Sequence, residues 1–280
     1  MDIEESIVEN GFVVLKNVFT LDEITELKSA VERLYEKVNE NPAQFTCRYT
    51  SKTDIVDTWG VNNIMFPETY ETAFGDVFNN ETLMDSIQTI LGEQLRFWGA
   101  HALWSPKTTD YELRWHRDYG DNDFYNSDGK PNHIQFNIPL YQDHCFIAIP
   151  GSHRRALYEK EQEEVMEDGT NYLEGQQEIH CEPGDVLLMN AHTLHRGRCS
   201  TSEFRRTLHY SLQAKDEPYG GHTSFPQIRN ESFLKSMNPR VRELMTNLIE
   251  WDNAHPLNKR EYISQLKKKK ERECYIAGKK

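Results

Sequence analysis

Two residues near the middle of the chain combine an imidazole with a carboxylate at a spacing that suits metal binding. In Trp115-His116-Arg117-Asp118, the two side chains are two residues apart. Residues i and i+2 of an extended strand point to the same side, so His116 and Asp118 can hold one ion. The H-x-D pattern is common by chance, and it becomes informative only when a third ligand is found elsewhere.

A third candidate ligand follows a tight turn and an apolar strand. Glu182-Pro183-Gly184-Asp185 leads into Val186–Met189, and His195 lies beyond the far end, with His192 as its rival. Two histidines and one carboxylate occupy one face of an octahedral ion and leave three positions open, as in non-haem Fe(II) oxygenases. Two open positions suit the keto-acid end of 2-oxoglutarate, and the third suits O2.

A strand that opens with two consecutive arginines follows this histidine. The distal carboxylate of 2-oxoglutarate requires a bidentate cationic partner, which arginine supplies. Alternation places Leu208 and Tyr210 on a face suited to packing against helices, and Arg205 and His209 on the polar face. This pattern favours Arg205 over Arg206 as the anchor, and Arg206 is then an ordinary ion-pair partner.

Other side chains are predicted to line the same cavity because they lie on or beside neighbouring strand-like runs. Lys107 and Gln135 are candidate cofactor-binding residues. Trp98, His101 and Trp104 are candidates for ligand contact, with packing in the protein core as the alternative reading.

The elements that must position these residues are mainly short strands. From about residue 95 to 215, runs rich in β-formers are separated by turns that contain Gly and Pro, which predicts a β-sandwich or barrel. The fold class is therefore mainly β with flanking helices. The predicted strands are Leu95–Leu103, His133–Leu140, Cys145–Ile149, Gln177–Cys181, Asp185–Met189 and Arg206–Gln213.

Helices are predicted on both sides of this β core. Thr20 begins a capping box before an amphipathic helix, a second helix begins after Asn80 and ends at Gly92, and a third begins at Pro239 with Asn238 as its N-cap. We interpret the chain as one domain. Its parts are a helical N-terminal part (1–94), the β core (95–215) and a helical C-terminal part with a basic tail (216–280).

Taken together, these features resemble the phytanoyl-CoA dioxygenase-like branch of the Fe(II)/2-oxoglutarate dioxygenases. The resemblance covers most of the chain and rests on a combination of motifs. They are Gly11–Leu15 before a capped helix, the W-H-x-D of residues 115–118, the P-G-S-H of residues 150–153, and Gly184 placed eleven residues before His195.

The resemblance implies a double-stranded β-helix core of the jelly-roll, cupin-like kind. It implies that His116, Asp118 and His195 are the catalytic iron ligands, that Arg205 anchors 2-oxoglutarate, and that Fe(II), 2-oxoglutarate and O2 are required. His192 lies three residues too early for the family spacing. Related halogenases have Gly or Ala where Asp118 stands, so this carboxylate favours oxygen transfer.

One segment departs from the family pattern. Gln142–Phe146 replaces the usual turn before P-G-S-H, which puts the local geometry of the minor sheet in question.

Composition excludes several other classes of protein. The chain has 280 residues and a net charge of −13, and residues 259–280 hold nine Lys or Arg against three Glu, so the remainder is still more acidic. An acidic body is not expected to bind nucleic acid, and the basic tail is read as a solvated end, with a polybasic contact as the alternative. No run of 18 apolar residues predicts a membrane span.

The cysteines and the N-terminus bear on the cellular compartment. The N-terminus lacks the apolar segment of a signal peptide. Five cysteines without a CxxC or CxxxC spacing argue against a disulfide framework or a Cys-ligated zinc site. A reducing, cytoplasmic setting is the simplest expectation.

These features predict hydroxylation of a C–H bond in a small polar metabolite, with release of succinate and CO2. The acidic and aromatic loop 119–130 is a candidate lid that suits an amine-containing substrate, and a solvated surface loop is the alternative. Two other functions stay open: a non-catalytic cupin-like binding protein, and desaturation or cyclisation at the same iron centre. Zn or Mn hydrolysis at the same triad leaves Arg205 without a role.

Overall fold

Two antiparallel sheets form the centre of the computed structural model, which describes residues 2–52, 55–118, 124–218 and 223–256. The first part of the predicted lid (119–123) and the basic tail (259–280) lie outside the described residues. The helices are α1 (Ile3–Asn10), α2 (Leu21–Glu40), α3 (Thr72–Asp76), α4 (Glu81–Leu91), α5 (Glu159–Met166), α6 (Glu231–Ser236) and α7 (Pro239–Ala254). The strands are β1 (Phe12–Leu15), β2 (Cys47–Lys52), β3 (Ile55–Asn62), β4 (Leu95–Trp104), β5 (Tyr111–Glu112), β6 (His133–Pro139), β7 (Asp143–Ala148), β8 (Gln177–Cys181), β9 (Val186–Asn190), β10 (His195–Cys199) and β11 (Arg206–Ala214).

The larger sheet has seven strands in the order β1-β9-β6-β11-β4-β3-β2. The smaller sheet has the order β5-β10-β7-β8. Apart from the consecutive pairs β2-β3, β3-β4 and β7-β8, neighbouring strands are not consecutive in the chain, as expected when it alternates between two layers of a jelly roll. The predicted fold class, mainly β with flanking helices around a double-stranded β-helix, is confirmed.

The description of residues 1–94 as a helical part is wrong in detail. Three strands of the larger sheet come from this region: β1 pairs with β9, and the hairpin of β2 and β3 extends the sheet beyond β4. The N-terminal part therefore contributes both edges of the larger sheet and is integral to the β core.

The helices cover the outer face of the larger sheet with apolar side chains. Leu208 and Tyr210 of β11 are fully buried in this core, and the Tyr210 hydroxyl donates to the carbonyl oxygen of Phe74 at 3.0 Å. The predicted alternation along β11 is thereby confirmed. Burial of such large side chains typically contributes about 1.5–3 kcal/mol each, which holds the strand in register.

The predicted helix starts are present. The Thr20 hydroxyl accepts a hydrogen bond from the backbone N–H of Glu23 at 3.3 Å, while the Glu23 carboxylate accepts one from the N–H of Thr20 at 2.7 Å. Asn80 and Asn238 cap α4 and α7 through their side-chain oxygens. Within the described ranges, we find no helix with the length and apolar character needed to cross a membrane.

Candidate metal centre

The backbone brings the two predicted histidine ligands face to face. His116 and His195 exchange both of their backbone hydrogen bonds at 3.0 Å, which makes them a directly opposed antiparallel pair. His195 begins β10, whereas His116 lies in extended chain beyond β5 rather than within a longer strand. The N–H of Asp118 donates to the carbonyl oxygen of Ala191 at 2.9 Å and holds the carboxylate beside the pair.

The hydrogen bonds of the two imidazoles set which ring nitrogen is free. Nδ1 of His116 lies 2.8 Å from the carbonyl oxygen of Arg114, and Nδ1 of His195 lies 2.8 Å from that of Thr193. A carbonyl oxygen only accepts, so each Nδ1 carries the proton. Each Nε2 therefore has a free lone pair, which is the tautomer that metal-binding histidines use.

The Asp118 carboxylate completes this set. Its Oδ1 lies 3.8 Å from Nε2 of His116, and one donor atom from each of the three residues lies within 4.8 Å of the others. Its Oδ2 is buried and has no hydrogen bond to the described residues. Burial alone raises the pKa of this carboxyl, but the nearby His195 and His116 lower it below its ordinary value, so Asp118 is ionised.

The three residues fit a resident Fe(II) ion. Burial, reinforced by His195, lowers the pKa of His116 to about 4, so its imidazole is neutral near pH 7. Two imidazoles and an ionised carboxylate, one oxygen of which has no hydrogen bond to the described residues, lie close together. An unsatisfied buried carboxylate oxygen is costly, and an ion held there removes that cost.

Arg205 lines the same cavity as these residues. Its Nε donates to Asp143 Oδ2 at 2.7 Å and its Nη1 to the Tyr111 hydroxyl at 2.6 Å, while Nη2 has no hydrogen bond within the described part of the chain. Burial opposes the positive charge, but Asp143 raises the pKa of Arg205 above its ordinary value. A fixed, protonated guanidinium with one free edge is suited to an anionic ligand.

Arg206 points the opposite way, as the alternation predicts. Its Nε and Nη2 donate to the Glu32 carboxylate of α2 at 2.7 and 3.2 Å. The guanidinium also stacks over the Tyr35 ring at 4.3 Å. The ion-pair role predicted for this residue is therefore visible, and its side chain lies outside the cavity.

The rival ligand His192 is engaged elsewhere. Its Nε2 lies 2.9 Å from Asn132 Oδ1, and its ring packs against Phe124 with centroids 4.2 Å apart. Phe124 belongs to the described part of the predicted lid, residues 124–130, none of which lines the cavity. His192 thus fixes the base of this loop.

Two of the predicted lining residues are misplaced. Lys107 lies beyond the end of β4, its side chain is exposed, and its ammonium approaches Asn39 at 3.4 Å and the Tyr35 ring of α2. Trp104 is fully buried in the helix-covered core, and its indole N–H donates to the carbonyl oxygen of Thr58. Trp104 occupies the outer face of its strand, so the prediction that these two residues line the cavity is wrong.

Of the other three residues predicted to line the cavity, two do so and one does not. Gln135 of β6 and His101 of β4 line the cavity beside the predicted metal ligands. Trp98 packs against His133, with ring centroids 5.1 Å apart, and is absent from the described lining.

The P-G-S-H turn is hydrogen-bonded to the residues next to the predicted metal ligands. The Ser152 hydroxyl accepts a hydrogen bond from the N–H of Leu194 at 2.8 Å, next to His195. The buried Arg117 side chain points away from the cavity and donates to the carbonyl oxygens of Phe124, Ser152 and Arg155. These bonds tie both ligand-bearing segments to one turn.

The Gly184-Asp185 motif has a structural role. Gly184 has a positive φ of 98°, and a Cβ added there would lie 2.7 Å from the carbonyl oxygen of Phe19. Asp185 accepts hydrogen bonds from Lys16 Nζ and from the backbone of Asn17 and Glu182. The motif therefore anchors β9 to the segment between β1 and α2.

The segment that departs from the family pattern supplies part of the cavity wall. Asp143 pairs with Arg205, and Cys145 and Phe146 line the cavity. Cys145, Cys199 and Glu203 also converge within 4.8 Å. Both Glu203 oxygens already accept hydrogen bonds, from His144 Nε2 and from the N–H of Ser200, so this group lacks the free donor atoms of the first site.

Sequence reasoning missed Tyr111 and Arg48, which line the cavity, and Asp143, which pairs with Arg205 behind it. Tyr111 and Arg48 are contributed by β5 and β2, strands that the sequence analysis did not identify, and Asp143 stood out only as a departure from a motif. The β-rich composition of residues 47–62 was the signal that could have located the hairpin that carries Arg48.

Buried neutral histidines predict a pH-dependent stability of the metal-free protein. Burial lowers the pKa of His101 and His133 to about 3 and of His153 to about 4, and that of His209 well below its ordinary value. The unfolded chain binds these protons below about pH 6.5, whereas the folded chain does not until about pH 4. The free energy of unfolding is therefore highest above about pH 6.5. Below that pH it falls by up to about 1.4 kcal/mol per pH unit for each histidine.

Urea unfolding of the metal-free protein between about pH 7.5 and pH 5 measures this slope. The variant His101→Gln should reduce it by about one proton. An unfolding free energy that stays constant over this interval would contradict the assignment of neutral buried histidines.

The fold and the site together define a class of protein. A double-stranded β-helix carries an H-x-D motif and a distal histidine on one cavity wall, with an arginine on the following strand. The chain belongs to the phytanoyl-CoA dioxygenase (PhyH) family, whose model matches residues 7–208. It is therefore an Fe(II)- and 2-oxoglutarate-dependent oxygenase that uses O2. At the level of sequence, no curated protein matches it.

Solved structures share the fold at low sequence identity. AviO1 from Streptomyces viridochromogenes Tue57 is 18% identical with a TM-score of 0.60, covering 78% of this chain and 96% of its own. EctD from S. alaskensis with bound Fe is 17% identical with a TM-score of 0.60, covering 76% of each chain. HygX from Streptomyces hygroscopicus, with nickel and 2-oxoglutarate bound, is 17% identical with a TM-score of 0.53, covering 74% of this chain and 84% of its own.

Proposed function

We propose that this oxygenase hydroxylates a C–H bond of a small polar metabolite in the cytoplasm, with succinate and CO2 as the other products. The observation that carries the proposal is that His116, His195 and Asp118 each place a donor atom within 4.8 Å of the others on the wall of an open cavity, where Asp118 Oδ2 has no hydrogen bond to the described residues.

The residues of the chain have distinct roles in this reaction. His116, Asp118 and His195 would hold the iron. Arg205, fixed by Asp143 and Tyr111, binds the distal carboxylate of 2-oxoglutarate, and Gln135 lies on the same cavity wall as a further polar contact. With 2-oxoglutarate and O2, the bound iron supplies the oxidant that removes a hydrogen atom from the substrate. The protein orients the C–H bond and limits the access of water.

One feature of the site favours oxygen chemistry over a role in binding alone. A protein that only binds a ligand, without a metal, does not require two imidazoles held in the metal-binding tautomer. Desaturation and ring closure start from the same hydrogen removal, so they differ from hydroxylation only in the product. The amine in the substrate remains a prediction from the acidic loop 119–130, whose first part lies outside the described residues.

Product analysis tests the proposal. The Fe(II)-loaded enzyme is incubated with 2-oxoglutarate, O2 and a panel of small polar metabolites, and succinate release is measured alongside product mass. We expect one succinate per product, and a product heavier than its substrate by one oxygen atom, which labelled O2 supplies. A product lighter by two hydrogen atoms would identify desaturation or cyclisation instead. If the wild type forms no more succinate than Asp118→Ala with any compound of the panel, the proposal that this site is catalytic is wrong.

A further inference from the structure

A second cation lies in the cavity of the predicted metal ligands. Arg48 on β2 lines this cavity, and its Nε donates to Asn62 Oδ1 of β3 at 2.8 Å. Its guanidinium also lies 5.8 Å from the centre of the Trp59 ring. Within the described residues, no carboxylate forms an ion pair with Arg48, and its terminal nitrogens have no hydrogen-bond partner.

Two histidines beside Arg48 add further unsatisfied polar atoms. His209 of β11 is paired with His101 of β4, and His101 is paired with Asn62, so the three residues form one row across the larger sheet. Nδ1 of His101 and Nε2 of His209 are buried and lack hydrogen bonds to the described part of the chain. Both rings are neutral, so each has one N–H to donate.

The environment of Arg48 disfavours a charge without a partner. Burial lowers the pKa of this guanidinium, although Asp118 opposes the shift. A desolvated cation is stabilised when an anion supplies charge-assisted hydrogen bonds, and arginine binds carboxylates through two parallel bonds. Arg48, His101 and His209 therefore offer a donor set that an anionic group can complete.

Apolar side chains form a further part of the cavity wall. Leu103 and Leu113 line it, as does Phe146 of β7. A ligand that satisfies both regions has one anionic group and a compact apolar body.

We propose that Arg48 binds an anionic group of the substrate, so that this enzyme oxidises a compact organic acid. The inference rests on the proposed function for the reaction itself and names the substrate class of that site. Arg48 is a specificity-determining residue, positioned by Asn62.

Arg48 and Arg205 are held separately. Arg205 immediately precedes β11 and is fixed by residues of β5 and β7 in the smaller sheet, whereas Arg48 is held on the β2–β3 hairpin at the edge of the larger sheet. In this proposal the co-substrate binds at Arg205 and the substrate at Arg48.

Binding of a matched pair of compounds tests this inference. Benzoate and benzamide have nearly the same shape and differ in charge, so their affinities report anion recognition. Ligand-observed NMR measures both dissociation constants, first on the metal-free protein and then with Fe(II) and saturating 2-oxoglutarate under anaerobic conditions. The variants are Arg48→Gln, the charge-retaining Arg48→Lys, and the control Arg33→Gln, which removes an exposed arginine paired with Glu71 on the surface.

We expect benzoate to bind at least about tenfold more tightly than benzamide in the wild type and in Arg33→Gln. The preference should vanish in Arg48→Gln and persist in reduced form in Arg48→Lys, while the affinity for 2-oxoglutarate stays unchanged. Benzoate that binds no more tightly than benzamide, or a preference that survives Arg48→Gln, would overturn the inference. So would a loss of 2-oxoglutarate affinity in Arg48→Gln. If the wild type forms no complex with Fe(II) and 2-oxoglutarate, the proposed function fails, and the metal-free titration still decides the role of Arg48.

Discussion

Replacing His195 by alanine is expected to abolish Fe(II) binding and turnover while the protein remains folded. The substitution removes one of the three proposed ligands, so the loss should exceed the roughly 10- to 100-fold that follows removal of an outer hydrogen-bond partner. The side chain is not needed for the backbone pairing with His116, which uses main-chain atoms. Equilibrium dialysis with metal analysis measures binding, and succinate release measures turnover.

His192→Ala is the matched control for this prediction. His192 is also buried and lies three residues away, but its Nε2 is hydrogen-bonded to Asn132 and its ring packs on Phe124. Its replacement should lower the free energy of unfolding and leave stoichiometric iron binding intact. Equal loss of iron in the two variants would contradict the assignment of His195 as a ligand.

Replacing Arg205 by glutamine is expected to weaken 2-oxoglutarate binding by about 10- to 100-fold, the range for loss of a hydrogen bond to a charged group. Arg206→Gln is the control, because Arg206 faces α2 and pairs with Glu32 outside the cavity. That variant should reduce stability without changing the affinity for 2-oxoglutarate. The dissociation constants come from anaerobic titrations of the Fe(II)-loaded proteins.

Asp143, the buried partner of Arg205, affects the interpretation of the single variant, and a second substitution at Asp143 separates the two effects. Arg205→Gln leaves Asp143 without its cation, and breaking such a buried pair typically costs about 3–5 kcal/mol. The double variant Arg205→Gln/Asp143→Asn removes this unpaired charge and should recover stability but not co-substrate affinity. Recovery of 2-oxoglutarate binding in the double variant, or equal weakening by Arg206→Gln, would show that Arg205 is not the anchor.

The local sequence was enough to predict the residues that face inward on β11. Alternation separates Arg205 from Arg206 because the two faces of β11 have different environments. One face packs against apolar helices, and the other lines a polar cavity. The convergence of His116, Asp118 and His195 was predicted from the spacing of motifs and from the family resemblance, and the structure brings the three residues together.

Residues whose placement depends on non-local pairing were harder to predict. Arg48 enters the cavity only because the β2–β3 hairpin adds to the far side of β4. Trp104 and Lys107 were misplaced for a related reason. Both faces of β4 are largely buried, so its hydrophobic pattern does not mark which face turns inward, and Lys107 lies past the point where the strand ends.

The central claim is that His116, Asp118 and His195 hold an Fe(II) ion that 2-oxoglutarate chelates. An anaerobic titration of the apoprotein with Fe(II) and then 2-oxoglutarate, followed by visible absorption, tests it most directly. We predict a weak metal-to-ligand charge-transfer band that appears only when both are present and that is lost in His195→Ala. Failure of the wild type to bind Fe(II), or binding without a band on addition of 2-oxoglutarate, would contradict the claim.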